Sequence, residues 1–431
     1  MKRHLIGIGG VGMSALATAL VRLGDEVTGA DRTLGTPNIR FLESLGVKVF
    51  PDDGSGIDAS TDEVIVSTAI EETNAGLVKA KELGIPVTHR AKALARTLSG
   101  YKLVAVVGTC GKSTVTAMLG HVLSECGLDP MCVNGANVPG WEGAVRFGRG
   151  EYAVAEVDES DKSLVAFKPY AAIVTNASAD HYSKEEMDEV FDAFVKDCEG
   201  PVVDGRNVEV WEYENGGIDE LGNGEIGEWV TPLPGKHNLQ NATLAAKMAL
   251  ALGCKAEDIK RALSAFRGVE RRLQLITPVI KQSNNQTIKQ SPAVYDDYAH
   301  NPEKLKAMWT TLAEKHPEGI CVIWRPHGYA PLRKMMDALA AMFAETVRDC
   351  DKLLLLPVYD AGGTTDRSVN SDELLHRIQT IKQSNNQTIQ VADLDAAYDW
   401  CAAHRGDYAA FVTCGARDPG LPALAKRLSE M

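Results

Sequence analysis

The residues whose types and spacing carry the most chemistry are Gly108-Thr109-Cys110-Gly111-Lys112-Ser113-Thr114. Glycines let backbone N–H groups turn toward a phosphate, and the start of a helix adds partial positive charge. Lys112 would reach the outer phosphates, and the Ser113 hydroxyl would hold Mg²⁺. The expected nucleoside triphosphate site is therefore Gly108, Thr109, Gly111, Lys112, Ser113 and Thr114, although the full pattern GxxxxGK(S/T) asks for glycine where the chain has Val106. A carboxylate should complete the metal's ligands. The apolar run 152–156 ends in Glu156 and continues into Asp158, Glu159 and Asp161. The next apolar run, 172–176, leads into Asp180-His181, at the strand edge where ligands gather in open α/β sheets.

A second glycine turn opens the chain. Residues 4–14 read as a strand, a GxGxxG turn with Gly7, Gly9 and Gly12, and then a helix carrying Leu16, Leu20 and Leu23. A second strand over 26–30 ends at Asp31. Three glycines and an acid about 20 residues on form a dinucleotide fingerprint, which alone indicates an NAD(P)-binding oxidoreductase. The same turn holds other nucleotide diphosphates for the same physical reasons. Farther on, Gly235 to Ala242 opens an alanine-rich helix, with Asn238 expected as its cap and Asn241 able to read an adenine edge. Arg271 and Arg272 suggest a phosphate clamp, and a strand over 294–297 runs into Tyr298-Ala299-His300-Asn301-Pro302.

These residues need elements to position them. Short β-branched runs bounded by glycine turns and followed by helical spacing predict parallel strands at 64–68, 85–87, 102–107, 152–156, 172–176, 321–324, 353–358 and 409–413. Helices are predicted over 74–83 and 115–123, and 213–230 reads as turns or a loop. A chain of 431 residues with 45% hydrophobic and 24% charged residues suggests about three α/β domains, with junctions near Ser99 and Gly268. No apolar run approaches the ~18 residues of a membrane span. A net charge of −13 argues against nucleic acid as a partner. Nine scattered cysteines, with no secretory leader expected, read as reduced thiols in the cytoplasm. The nonapeptide Ile-Lys-Gln-Ser-Asn-Asn-Gln-Thr-Ile occurs at both 280–288 and 381–389, and both copies are expected to be surface-loop insertions without chemistry.

Taken in order, these pieces resemble the Mur ligase family of ATP-dependent amide-forming enzymes of peptidoglycan synthesis. The resemblance rests on 7–17, Val66 to Ile70, Pro86 to Ala91, a GTxGK(S/T)T form of the loop at 108–114, Glu156 to Asp161, Thr175-Asn176 with Asp180-His181, Gly235 to Ala242, Arg271-Arg272 and Asp297 to Pro302. It explains the glycine absent at 106. It implies an α/β fold of three consecutive domains: a Rossmann-like UDP-sugar domain (1–99), a central P-loop ATPase-like domain with a parallel or mixed sheet (100–269) and a Rossmann-like amino-acid domain (270–431).

The implied reaction joins an amino acid, L-alanine by the nearest resemblance, to the carboxylate of UDP-N-acetylmuramate through an acyl phosphate, with ATP and Mg²⁺. A different amino acid or a peptide acceptor stays open, and so does the oxidoreductase alternative. The implied catalytic residues are Lys112, Glu156, His181, Arg271, Arg272, His300 and Arg333. Ser113, Glu156 and His181 would bind metal, Asn241 the adenine and Asp297 the ATP ribose. Gly9, Gly10, Val11, Gly12, Asp31, Ser67 and Thr68 would bind the UDP-sugar. Small-molecule substrates are the expected partners, with the chain a monomer or weak homodimer. Two departures stand out: Cys110 replaces a histidine, and within 325–333 Gly328 and Pro331 replace two arginines, leaving Arg333. A bidentate guanidinium is not replaceable by glycine, so the acceptor's carboxylate needs another partner.

Overall fold

The computed structural model describes residues 1–158, 163–177, 184–207, 231–276, 292–360, 366–382 and 387–431. Strands β1 (Lys2–Ile6), β2 (Glu26–Asp31), β3 (Lys48–Pro51), β4 (Glu63–Val66) and β5 (Val87–His89) form a parallel first sheet in the order β3-β2-β1-β4-β5. Its helices are α1 (Val11–Arg22), α2 (Pro37–Ser44), α3 (Ala75–Glu82) and α4 (Arg90–Thr97).

The second sheet takes β6 (Lys102–Val107), β7 (Met131–Val133), β8 (Val145–Arg146), β9 (Tyr152–Glu156), β10 (Ala171–Val174) and β11 (Val202–Asp204), in the order β11-β10-β6-β9-β7-β8. Only β8 is antiparallel to its neighbour. Helices α5 (Lys112–Glu125), α6 (Lys184–Val195), α7 (Lys236–Ala251) and α8 (Ala256–Ala265) belong with it.

The third sheet takes β12 (Gln274–Leu275), β13 (Ala293–Asp297), β14 (Ile320–Trp324), β15 (Lys352–Leu355), β16 (Thr388–Gln390) and β17 (Ala410–Cys414), in the order β12-β13-β17-β14-β15-β16, with β12 antiparallel at the edge. Its helices are α9 (Pro302–Lys315), α10 (Tyr329–Thr346), α11 (Ser371–Lys382), α12 (Leu394–Ala403) and α13 (Gly420–Ser429).

The α/β reading holds across all three sheets. Central strands buried on both faces read as unbroken apolar runs, as in Leu103 to Val107 of β6, where every residue is buried. Helix starts follow cap chemistry: the Asn301 side chain accepts from Lys304 N–H, and Pro302 follows at the first helical position. The first two sheets lie in one compact unit, Met1–Leu233 with His237–Val269, and the third in a second, Pro234–Lys236 with Glu270–Met431. Within the first unit, α1 packs on its own sheet and on β7 and β8, and one hydrophobic core runs through both sheets.

Three local expectations need correction. The strand expected at 85–87 runs from Val87 to His89, while Ile85 is buried in a small separate core with Ile6, Ile57 and Leu77. Asn238 is not a cap: α7 has already begun at Lys236, and the buried Asn238 accepts from Asn241 Nδ2 at 3.3 Å. The second nonapeptide copy is not wholly loop, because Ile381 and Lys382 close α11 and Thr388 and Ile389 enter β16. The first copy and 213–230 lie outside the described residues. Among the described residues no helix is long and apolar enough to cross a membrane.

Candidate active site

The phosphate loop is built where β6 ends. Gly111 has φ +83° and caps α5, which starts at Lys112, three residues earlier than helical spacing alone predicts. A Cβ on Gly111 would lie 2.6 Å from Asn241 Oδ1, and one on Gly108 2.1 Å from Thr175 Oγ1. The glycines therefore serve close approach as well as turning. The Lys112 ammonium donates to the Gly108 carbonyl at 2.6 Å, curled over the loop it is expected to extend from when phosphate arrives.

The end of β10 holds this loop in shape. Asn176 Oδ1 accepts from Thr109 Oγ1 at 2.7 Å and from Cys110 N–H at 3.0 Å. The Cys110 carbonyl in turn accepts from Thr175 Oγ1 at 2.6 Å and Asn176 Nδ2 at 3.0 Å. Ser113 and Thr114 are buried in the first turn of α5. The Ser113 hydroxyl has no hydrogen-bond partner among the described residues, as suits a metal ligand.

Glu156 ends β9, the neighbour of β6, and pairs in register with Val106. Its Oε2 accepts from Gly135 N–H at 2.8 Å, and a Cβ on Gly135 would stand 2.3 Å from that oxygen. Only glycine leaves the carboxylate this seat. Glu156 and Asp158 line a cavity of about 410 Å³ whose other walls include Gly10, Val11, Gly12, Ser67 and Arg90. The cavity thus runs from the glycine turn of the first sheet to the acidic edge beside the phosphate loop.

Gly9 and Asp31, also expected at the sugar subsite, bond to each other and are not among the residues that line the cavity. Asp31 Oδ2 accepts from Gly9 N–H at 2.9 Å, and Oδ1 from Thr33 N–H at 2.9 Å. Thr68 is exposed and outside the lining. Arg90, Asn134 and Gly135 were not expected among the site residues. The segment Pro86 to Ala91 held the signal for Arg90, whose guanidinium lies 3.2 Å from where a Gly12 Cβ would be. Asp180 and His181 lie outside the described residues. Among the described residues no three His, Cys, Asp or Glu side chains gather as a metal site, so a metal here would share its ligands with phosphate oxygens.

In the second unit, Arg271 Nε pairs with Asp296 Oδ2 at 3.0 Å and Nη2 reaches the Gly415 carbonyl at 2.6 Å. Burial pushes Asp296 up to about 6, against the pull of Arg271. Arg271 and Arg272 stack on the Tyr298 ring at 5.1 and 5.0 Å. Asp297 accepts from Leu273 N–H at 2.6 Å and Ala299 N–H at 2.7 Å. His300 bonds the Tyr298 carbonyl at 2.9 Å, and its ring meets His327 edge-on with centroids 4.8 Å apart. Arg333 is held by Asp366 at 2.8 Å and by Ser368 Oγ at 3.2 Å.

Comparison with known proteins follows this geometry closely. Residues 2–102 match the model of the Mur ligase family catalytic domain, and residues 285–417 that of the Mur ligase glutamate ligase domain. The chain is 30% identical to a UDP-N-acetylmuramate–L-alanine ligase of Rhizobium etli, over 99% of this chain and 96% of that protein. It is 29% identical to the same enzyme of Sinorhizobium medicae, over 99% of this chain and 97% of that protein. Among solved structures, the UDP-N-acetylmuramate–alanine ligase of Thermotoga maritima superposes with a TM-score of 0.78 at 24% identity, covering 100% of this chain and 98% of that one.

Proposed function

The chain belongs to the Mur ligase family, and from that premise we propose that it is an ATP-dependent ligase joining an amino acid, L-alanine first among candidates, to the carboxylate of UDP-N-acetylmuramate in peptidoglycan precursor synthesis. The observation that carries this reading is the cavity of about 410 Å³ that joins a diphosphate-sized glycine turn to Glu156 beside the phosphate loop. A hydride-transfer enzyme has no use for Lys112, Ser113 and Glu156, so the oxidoreductase alternative falls away.

A carboxylate resists attack by an amine because its leaving group would be oxide. Transfer of the γ-phosphoryl group of ATP to that carboxylate gives an acyl phosphate, whose phosphate leaves once the amine has added. The protein's work is to hold three anions in line and balance their charge. In this assignment Gly108, Thr109, Gly111 and Thr114 cradle the phosphates through the loop's backbone, and Lys112 bears on the β- and γ-phosphates. Ser113 and Glu156, with His181, are the residues that would hold Mg²⁺, which supplies charge neutralisation between phosphate and carboxylate. Asn241, already against Gly111, faces the adenine. Asp297 takes the ribose, and Arg271 or Arg272 takes the γ-phosphate. Gly9, Gly10, Val11, Gly12, Asp31, Ser67 and Thr68 form the UDP-sugar subsite.

We assign the three functions to 1–99 (UDP-sugar), 100–269 (ATP) and 270–431 (amino acid), in a cytoplasmic enzyme that is a monomer or weak homodimer. A different acceptor is the second reading, favoured by Gly328 and Pro331 at positions where arginines are expected. Phosphate release with ATP, Mg²⁺ and UDP-N-acetylmuramate, with single amino acids added in turn, tests both. Release that peaks with L-alanine supports the first, a peak with another acceptor supports the second, and no release with any acceptor removes both.

A further inference from the structure

Beyond the end of the third sheet's central strand stands one guanidinium, that of Arg417, which no carboxylate among the described residues pairs with. β13, β17 and β14 are parallel neighbours, and their last residues, Asp297, Cys414 and Trp324, stand in register. The chain leaves all three strands at the same edge. Three positions beyond those ends stand His300, Arg417 and His327. Arg417 therefore leaves the central strand, between the loops that carry the two histidines. The histidines' rings meet 4.8 Å apart.

The carboxylates at this edge are already engaged. Asp296 pairs with Arg271 at 3.0 Å, Asp418 with Arg325 at 2.5 Å, and Asp297 accepts two backbone N–H groups. Arg417 is exposed and has neither a salt bridge nor a hydrogen bond among the described residues. It is the leading charge acting on His327, while Lys304 and Arg272 act on His300. Both imidazoles stay neutral near pH 7, each lowered to about 4 chiefly by burial. Neutral rings leave the guanidinium free to meet an anion and can donate or accept beside it.

The backbone points the same way. Arg417 has φ +67°, in the left-handed region that glycine occupies freely and a residue with a Cβ occupies at a cost. Strain of this kind collects at functional sites, where the side chain justifies the conformation. The neighbouring segment shows what is missing: Gly328 and Pro331 carry no charge, and Arg333 is bound to Asp366.

We propose that Arg417 binds the carboxylate of the amino-acid acceptor, supplying from the loop after β17 the guanidinium that positions 328 and 331 lack. This rests on the ligase reading above.

The test compares wild type with Arg417→Gly and Arg417→Lys in steady-state phosphate release, titrating the amino acid that drives the fastest turnover and then its carboxamide. The carboxamide keeps the amine and lacks the carboxylate. Glycine suits φ +67°, so the thermal midpoint of Arg417→Gly should hold or rise, and any lost affinity is then not lost folding. The expected result is an acceptor KM raised about tenfold or more in Arg417→Gly and partly restored by lysine. The KM values for ATP and UDP-N-acetylmuramate should stay within about twofold, and the preference for acid over carboxamide should collapse. An unchanged acceptor KM overturns the proposal, and a raised KM for ATP instead would give the guanidinium to a phosphate. A wild type that turns over with no amino acid at all fails at the ligase reading itself. A wild type that turns over normally beside an Arg417→Gly variant of equal KM fails only here.

Discussion

Lys112 and Glu156 reach the site from adjacent strands, and each contributes charge more than packing. Lys112→Ala removes an ammonium that donates to its own loop carbonyl at 2.6 Å. Turnover should fall about 10³-fold or more while the thermal midpoint barely moves. Phosphate release and thermal unfolding of the same preparation check the pair of outcomes. Retained turnover would remove Lys112 from the site. Glu156→Gln keeps an oxygen for Gly135 N–H and loses the charge, so the Mg²⁺ concentration for half-maximal activity should rise about tenfold. An unshifted Mg²⁺ curve would deny Glu156 its metal. These two residues were legible because each belongs to one continuous strand-and-turn signature. Gly135 was not, because only folding brings its element to the cavity wall, and Arg90 was legible only as part of the segment Pro86 to Ala91 and not as a wall residue. Arg417 carried no signal at all in one dimension, since φ and strand register are properties of the fold.

At the scale of elements, the end of β10 acts on a loop it does not belong to. Thr175 and Asn176 hold both the N–H and the carbonyl of Cys110, so the phosphate loop holds its shape from the side. Asn176→Ala deletes three hydrogen bonds there. A stability loss of about 1–3 kcal/mol in urea unfolding is expected, with a weaker ATP KM and an unchanged acceptor KM. Equal weakening for every substrate would mean a general loss of fold instead. The parallel strands around the loop were legible from their apolar runs. The short strands β7, β8, β11 and β12 were not, because two or three residues carry no period to read. Asn238 was misread for a related reason: asparagine near a helix start suggests a cap, yet this helix starts two residues before it.

Across the whole molecule, acid should act on both compact units. His4 is fully buried in the first sheet, bonded to Thr28 at 2.9 Å, and burial lowers it to about 4. His300 and His327 in the second unit are also lowered to about 4. In the unfolded chain such side chains take up a proton near 6.5. Between those values the unfolded state binds more protons than the folded one, so stability falls as the pH drops from 6.5 toward 4 and is level above 6.5. For His4 alone the loss is about 2 kcal/mol at pH 5. Urea midpoints at pH 7.5 and pH 5 measure it, and equal midpoints would contradict the buried neutral state.

The strand order of the third sheet carries a further consequence, for synthesis. β17 lies between β13 and β14, yet more than a hundred residues of chain separate it from β13. A ribosome must therefore deliver two strands that cannot pair with each other and leave the gap between them open until the last strand arrives. A chain stopped at residue 409 keeps β13 and β14 but lacks the strand that joins them. Its second unit should be digested by protease while the first survives. The molecule is thus made with an inspection built into its connectivity: an unfinished copy exposes bare strand edges in its second unit, and a finished one hides them.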